Sequence, residues 1–157
     1  MIRRERHKAR LSSFLNRYEV WAGYAICDLE EDMFSKCEWY VAEQNGEIVS
    51  LCLYFKGFDP ATQISFGDSS GVEEIVKLVS NERLRFQIPL EHRDVMEKHY
   101  DLQDLKLMSR MVATKETFKP VEGSAIRMHE RDLPQLEKFY LSRQESYFKP
   151  YMLSSRV

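Results

Sequence analysis

Along this chain the apolar positions change period several times, and each change marks an element. Leu11, Phe14, Leu15 and Tyr18 recur at three- and four-residue spacing, which predicts a helix with one apolar side over residues 8 to 17. The stretch VWAGYAICDLEEDMF mixes aromatic and small residues and ends in acids, so it is read as short helical or irregular structure crossing the core. CEWYVAEQNGEIVSLCLYFKG then holds two β-rich runs around Asn45 and Gly46, the dipeptide that supplies the positive φ of a tight hairpin turn. The second run, Ile48 to Phe55, is apolar on both faces and belongs in the middle of a sheet. TQISFG predicts a third strand, antiparallel to the hairpin.

After that strand the period becomes helical. Val72, Ile75, Val76 and Val79 share a face, and Ser70 followed by Glu73 reads as a capping box. RLRFQIP predicts a strand stopped by Pro89, EHRDVMEKHY a helix carrying Val95, Met96 and Tyr100, and LKLMSRMVAT a long final strand. KETFKPVEGS reads as a linker. Beyond it Ile126 and Met128 begin a predicted strand, and Asp132 is placed to cap a helix that has Pro134 in its first turn and Leu133, Leu136 and Tyr140 along one side. The order predicts an α/β (α+β) fold, a mixed and largely antiparallel sheet flanked by helices, in residues 1–118. A linker at 119–124 and the start of a second unit at 125–157 complete the expected organisation. A piece as short as the last one does not ordinarily fold alone, so it is expected to lean on something else.

Composition narrows the partners. The 157 residues are 43% hydrophobic and 31% charged, with six glycines and five prolines, as in a soluble globular chain. A net charge of −2 argues against a general electrostatic hold on nucleic acid or on an anionic membrane. The basic start MIRRERHKAR is not followed by an apolar signal core, and no run of about 18 apolar residues follows, so a cytoplasmic chain is expected. Cys27, Cys37 and Cys52 are odd in number and lie in core-like surroundings, which fits reduced, buried thiols.

Candidate chemistry is sparse. His92 and His99 share a helix face but sit two turns apart, about 10 Å along the axis, too far to share one metal ion; no metal site is expected. Asp28, Glu30, Glu31 and Asp32 lack the alternate-residue spacing and the glycine of a calcium loop. There is no G-x-S-x-G elbow, and Ser109 and Cys52 read as strand side chains. One junction offers cofactor-binding candidates. At Gly67, Ser69, Ser70 and Gly71 a strand passes into a helix, and N–H groups at a helix start can receive an anion. Against this, Asp68 would repel a phosphate, no Arg or Lys lies between Gly67 and Val76, and Ser70 can cap the helix itself.

LNRYEVWAGYAICDLE, CEWYVAE, LYFKGF and FGDSSGV resemble the N-terminal region of two-domain N-acyltransferases of the GNAT superfamily, in which a degenerate GNAT-like half precedes the catalytic one. AIRMHERDLPQLEKFYLSRQESYFKPYML resembles the opening of the second half, including Phe148, Pro150, Met152 and Leu153. The resemblance implies that Tyr147, Phe148 and Tyr151 border an acceptor pocket. It also implies that acyl-CoA is held by Arg or Gln, two residues, Gly, one residue, then Gly or Ala, between a strand and a helix. FGDSSGV departs from this pattern in glycine spacing, in the missing Arg or Gln, and in the acid at Asp68. The implied function is therefore an accessory, non-catalytic half. It would hold no cofactor alone, would work with acetyl-CoA only when completed by a catalytic half, and would have a separate catalytic half or a second copy as partner. Two alternatives stay open. One is a self-sufficient acyltransferase binding acyl-CoA at Gly67 to Gly71, with direct attack of an amine on the thioester and Glu91 or His92 as nameable but unselected proton acceptors. The other is a homo-oligomeric module joined through the predicted strand Ala125 to His129.

Overall fold

The computed structural model describes residues 1–79, 83–120, 122–126 and 128–142. The chain divides into two compact units, Met1–Val112 and Ala113–Val157. In the first, β1 (Ile2–Arg4), α1 (Lys8–Leu15), α2 (Glu19–Cys27), α3 (Glu31–Phe34), β2 (Cys37–Gln44), β3 (Glu47–Phe55), β4 (Ala61–Gly67), α4 (Ser69–Val79), β5 (Leu84–Gln87) and α5 (Arg93–His99) follow one another. In the second, a short 3₁₀ turn at Glu130–Asp132 leads into α6 (Leu133–Leu141). Among the described residues no helix is long and apolar enough to cross a membrane.

The five strands form one sheet in the order β1-β2-β3-β4-β5, antiparallel except for the parallel pair β4–β5. Asn45 and Gly46 have φ of 52° and 83°, the left-handed pair that a two-residue hairpin needs. Alternation then sorts the side chains to two faces. Trp39, Val41, Leu51, Leu53, Ile64 and Phe66 meet Leu11, Phe14 and Leu15 of α1 and Ala22 and Ala25 of α2. On the other face Ala42, Cys52 and Tyr54 meet Val72, Ile75 and Val76 of α4 and Val95 and Met96 of α5. β3 is covered on both sides, so its unbroken apolar run is explained by its central place.

Four expectations need correction. VWAGYAICDLEEDMF is not among them: it takes the short helical form of the expectation as α2 and α3, with Ala22 and Ala25 letting α2 lie close to the sheet. α4 starts at Ser69. The Asp68 carbonyl accepts the Val72 N–H at 3.0 Å, so Ser70 lies inside the first turn, and Glu73 pairs with Lys77 and Lys98 instead of closing a capping box. Leu105 to Thr114 is not a strand. Arg110 ties that segment to α2, its Nη1 donating to the Trp21 carbonyl at 2.8 Å and its guanidinium lying 4.5 Å from the Trp21 ring centre. The described residues of Ala125 to His129 also form no strand, since no ladder partner is present among the described residues, and Ile126 is exposed. Asp132 precedes α6 as expected, with Pro134 in the first turn, but its carboxylate accepts the His129 N–H at 2.9 Å and closes the 3₁₀ turn, not the helix.

An ion ring fastens the start of the chain. The Arg3 guanidinium donates to Glu43 at 2.9 and 3.1 Å and to Glu5 at 2.6 Å, and Arg10 donates to Glu5 at 3.0 Å, to Glu43 at 2.6 Å and to the Gly46 carbonyl at 3.0 Å. Buried Glu5 also accepts the N–H groups of Arg6 and His7, so the charge that burial would disfavour is fully surrounded by donors. The Arg3 hydrogen bonds, reinforced by Arg10, bring the Glu43 carboxyl down to about 2. A group ionised more readily in the folded state stabilises fully above its ordinary value, near 4.5, and ceases to do so as the pH falls toward 2. Thermal melts between pH 6 and 2 should therefore lose stability below about 4.5, and Glu43→Gln should flatten that part of the profile; an unchanged slope in the variant would contradict the assignment.

Candidate functional site

The junction of β4 and α4 is where the sequence places its cofactor candidates, and there the chain is sewn to itself. Gly67 ends β4 with φ +87°, and a Cβ at this position would run into the Val49 carbonyl. The next N–H, of Asp68, donates to that same carbonyl at 3.1 Å, while the Ser50 hydroxyl donates to the Asp68 carbonyl at 2.7 Å. Gly71 lies buried in the first turn of α4, where a Cβ would strike Ser50 Oγ and approach the Ala42 Cβ to 3.0 Å. Both glycines are thus required by close approach to the sheet. Ser69 Oγ donates to the Glu91 carbonyl at 3.2 Å, and Ser70 and Asp68 are exposed. The structure brings Gly67, Ser69, Ser70 and Gly71 together, but around a packed seam.

β4 runs past β5 at this end. The pairing stops at Ile64 with Gln87, leaving Ser65 to Gly67 beyond it. Side chains of the same chain take up the exposed carbonyls there. His92, fully buried in the turn before α5, has Nε2 2.8 Å from the Gly67 carbonyl and Nδ1 2.8 Å from Ser65 Oγ. A carbonyl only accepts, so Nε2 carries the proton and donates, while Nδ1 and the Ser65 hydroxyl share the second hydrogen bond. From the other face Trp21 Nε1 donates to the Ser65 carbonyl at 3.4 Å. His92 is therefore a positioning residue for the strand end, and Glu91 contributes its carbonyl, not its carboxylate, to the seam.

Three features of this junction disfavour an anion. The Asp68 amide is already bonded, Asp68 itself brings negative charge, and no Arg or Lys stands between Gly67 and Val76. A shallow surface depression of about 390 Å³ does occur, lined by Asn16 to Trp21, but it is walled by one continuous stretch and holds none of the candidates. Tyr147, Phe148 and Tyr151 lie outside the described residues. Among the described residues no group of three or more His, Cys, Asp or Glu is arranged to hold a metal ion.

Taken by itself the sheet has a simple signature: an antiparallel meander, then a helix, then one parallel strand at the edge, with helices on both faces. The fold is α+β, a mixed and largely antiparallel sheet flanked by helices. No family model and no curated protein matches the chain. Among solved structures it is similar to the ribosomal-protein-alanine N-acetyltransferase of Brucella melitensis biovar Abortus 2308, at 13% identity over 73% of this chain and 99% of that one, with a TM-score of 0.47. It is also similar to a predicted acetyltransferase of Clostridium acetobutylicum, solved with acetyl-CoA, at 12% identity over 71% of this chain and 96% of that one, with a TM-score of 0.41.

Sequence reasoning missed the Ser65–His92 pair and the buried acid Asp28. Asp28 follows α2 and is only 8% exposed; burial pushes its carboxyl up to about 6, with Lys36 acting in the opposite sense. Burial, aided by the nearby Asp28 charge, pushes the Cys37 thiol up to about 12, which makes it a poor nucleophile.

Three substitutions test this description. Gly71→Ala should destabilise the chain by about 1–3 kcal/mol through overpacking, measured in urea, and Ser50→Ala should recover part of the loss. Asp28→Asn should stabilise it at neutral pH. The folded carboxyl holds its proton better than an unfolded one, so stability is lost as the pH rises from 3.8 to about 6, up to about 3 kcal/mol, and the variant escapes that loss. Below about pH 4 the two proteins should unfold alike.

Proposed function

We propose that this chain serves as an accessory, non-catalytic half of a GNAT-type N-acetyltransferase. The reading takes residues 1–118 as the GNAT-like domain, 119–124 as a linker and 125–157 as the opening elements of a second such domain. The single observation that carries it is the closed junction. The turn that would have to present bare amides to a diphosphate instead spends the Asp68 N–H on Val49 and its two glycines on contact with Ser50, Ala42 and the Val49 carbonyl. The Gly67 and Ser65 carbonyls beyond β5 are likewise held by His92 and Trp21.

In this reading the domain contributes shape and contacts, and the acetyl donor binds elsewhere, on a catalytic half supplied by another polypeptide or another part of the same one. The three free thiols, two of them buried, suit the reducing interior of a cell, so the proposed compartment is the cytoplasm.

Isothermal titration of the full chain with acetyl-CoA tests the proposal. No saturable heat is expected up to about 1 mM ligand, a ceiling that corresponds to only about 4 kcal/mol of binding. A dissociation constant in the micromolar range that Gly71→Ala weakens would replace this reading with that of a self-sufficient acyltransferase.

A further inference from the structure

Beneath α4 and α5 the sheet carries polar atoms that the chain itself does not pair. The hydroxyls of Tyr54 and Tyr100 and the Oε1 of Gln63 are buried, and none of the three has a hydrogen-bond partner among the described residues. Tyr54 is 3% exposed and Gln63 is fully buried. Buried polar atoms are nearly always paired, so three unpaired ones in a single neighbourhood call for a common partner.

The strand register makes these groups neighbours. Tyr54 of β3 stands opposite Gln63 of β4, and Gln63 stands opposite Phe86 of β5. Their shared face is the one that α4 and α5 cover: Gln63 Nε2 donates to Cys52 Sγ at 3.5 Å, and Cys52, Tyr54 and Phe86 belong to the cluster under those helices. Tyr100 ends α5, and its ring meets that of Phe86 edge-on, 4.8 Å between centres. Its hydroxyl oxygen is buried although the residue as a whole is only partly so, which means that the ring reaches inward. Burial raises the pKa of both hydroxyls; Cys52 raises each further, and Tyr100 adds to the effect on Tyr54. The two hydroxyls and the sulfur are thus close enough to feel one another's charge.

We propose that one water molecule is bound between β3, β4 and the end of α5, accepting from the Tyr54 and Tyr100 hydroxyls and donating to the Gln63 amide oxygen. The three groups are the complement of that ligand. Two hydroxyls can donate and an amide oxygen only accepts, while water both accepts and donates twice. Three hydrogen bonds are also what a buried water typically makes. Turning the amide over would let Oε1 take the Cys52 S–H and leave Nε2 to donate, so a partner is needed in either orientation. An ion is unsuited, because the lining is Val72, Ile75, Val76, Val95 and Met96, and two hydroxyls and an amide supply no counter-charge. The water ties the last residue of α5 to the middle of the sheet. The site is separate from the β4–α4 junction, and it stands whether or not the chain binds coenzyme.

The test uses the full chain with Tyr54→Phe, Tyr100→Phe and both together. Removing a buried hydroxyl that has no partner relieves a desolvation penalty, whereas removing one that holds a water breaks a hydrogen bond, so the two cases differ in sign. Each single variant should lower the urea midpoint, and the two losses should be non-additive because they share one ligand. Magnetic relaxation dispersion of the solvent should count one long-lived water fewer in the double variant than in the parent. A crystal structure of the parent should show an isolated solvent peak within hydrogen-bond distance of both hydroxyls and Gln63. Three results would overturn the proposal: a raised midpoint in either single variant, an unchanged count of long-lived waters, or a crystal in which no peak stands between the two hydroxyls and the amide.

Discussion

At Gly71 the first turn of α4 comes so near β2 and β3 that one added carbon would meet the Ser50 hydroxyl and the Ala42 side chain. That approach sets the rest of the unit. It lets Val72, Ile75 and Val76 reach Cys52 and Tyr54 on the sheet, and it places α4 so that α5 can pack beside it through Val95 and Met96. The Ser50 hydroxyl and the Val49 carbonyl then fix the chain on either side of Asp68, so the turn cannot open without breaking both hydrogen bonds. Leaving such groups without partners would cost about 1–3 kcal/mol each. Rigidity of this turn therefore comes from the use of its polar groups for packing.

Much of this was legible in the residues, for reasons that are local. Asn45 and Gly46 declare the hairpin because few other pairs tolerate two successive left-handed residues, and the register that follows from them places Trp39 and Leu53 on one face. The two-sided apolar run of β3 announced a central strand, and the helical spacing of Val72, Ile75, Val76 and Val79 announced α4.

What escaped was whatever depends on distant partners. Nothing near Ser65 in the sequence says that His92, on a turn two elements later, will bond both its hydroxyl and the Gly67 carbonyl. Gly71 looked like a phosphate candidate when its neighbours were taken along the chain; the small residues Ser50 and Ala42, far off in sequence, show that it is a contact glycine. Leu105 to Thr114 has the alternation of a strand, yet alternation records only what a segment could pair with, and the Arg110 guanidinium found the indole and carbonyl of Trp21 first. In the same way the carboxylates of Glu5 and Glu43 look like ordinary surface acids until the hairpin brings Arg3 and Arg10 to them.

The three thiols differ sharply in their surroundings. Cys27 ends α2 in the open, whereas Cys37 and Cys52 are buried, and burial pushes each up to about 12. An alkylating reagent at neutral pH thus meets one accessible sulfur, while the other two become reactive only when the sheet itself opens. The chain carries an internal clock for its own unfolding: the first adduct counts molecules, and the second and third count excursions from the folded state.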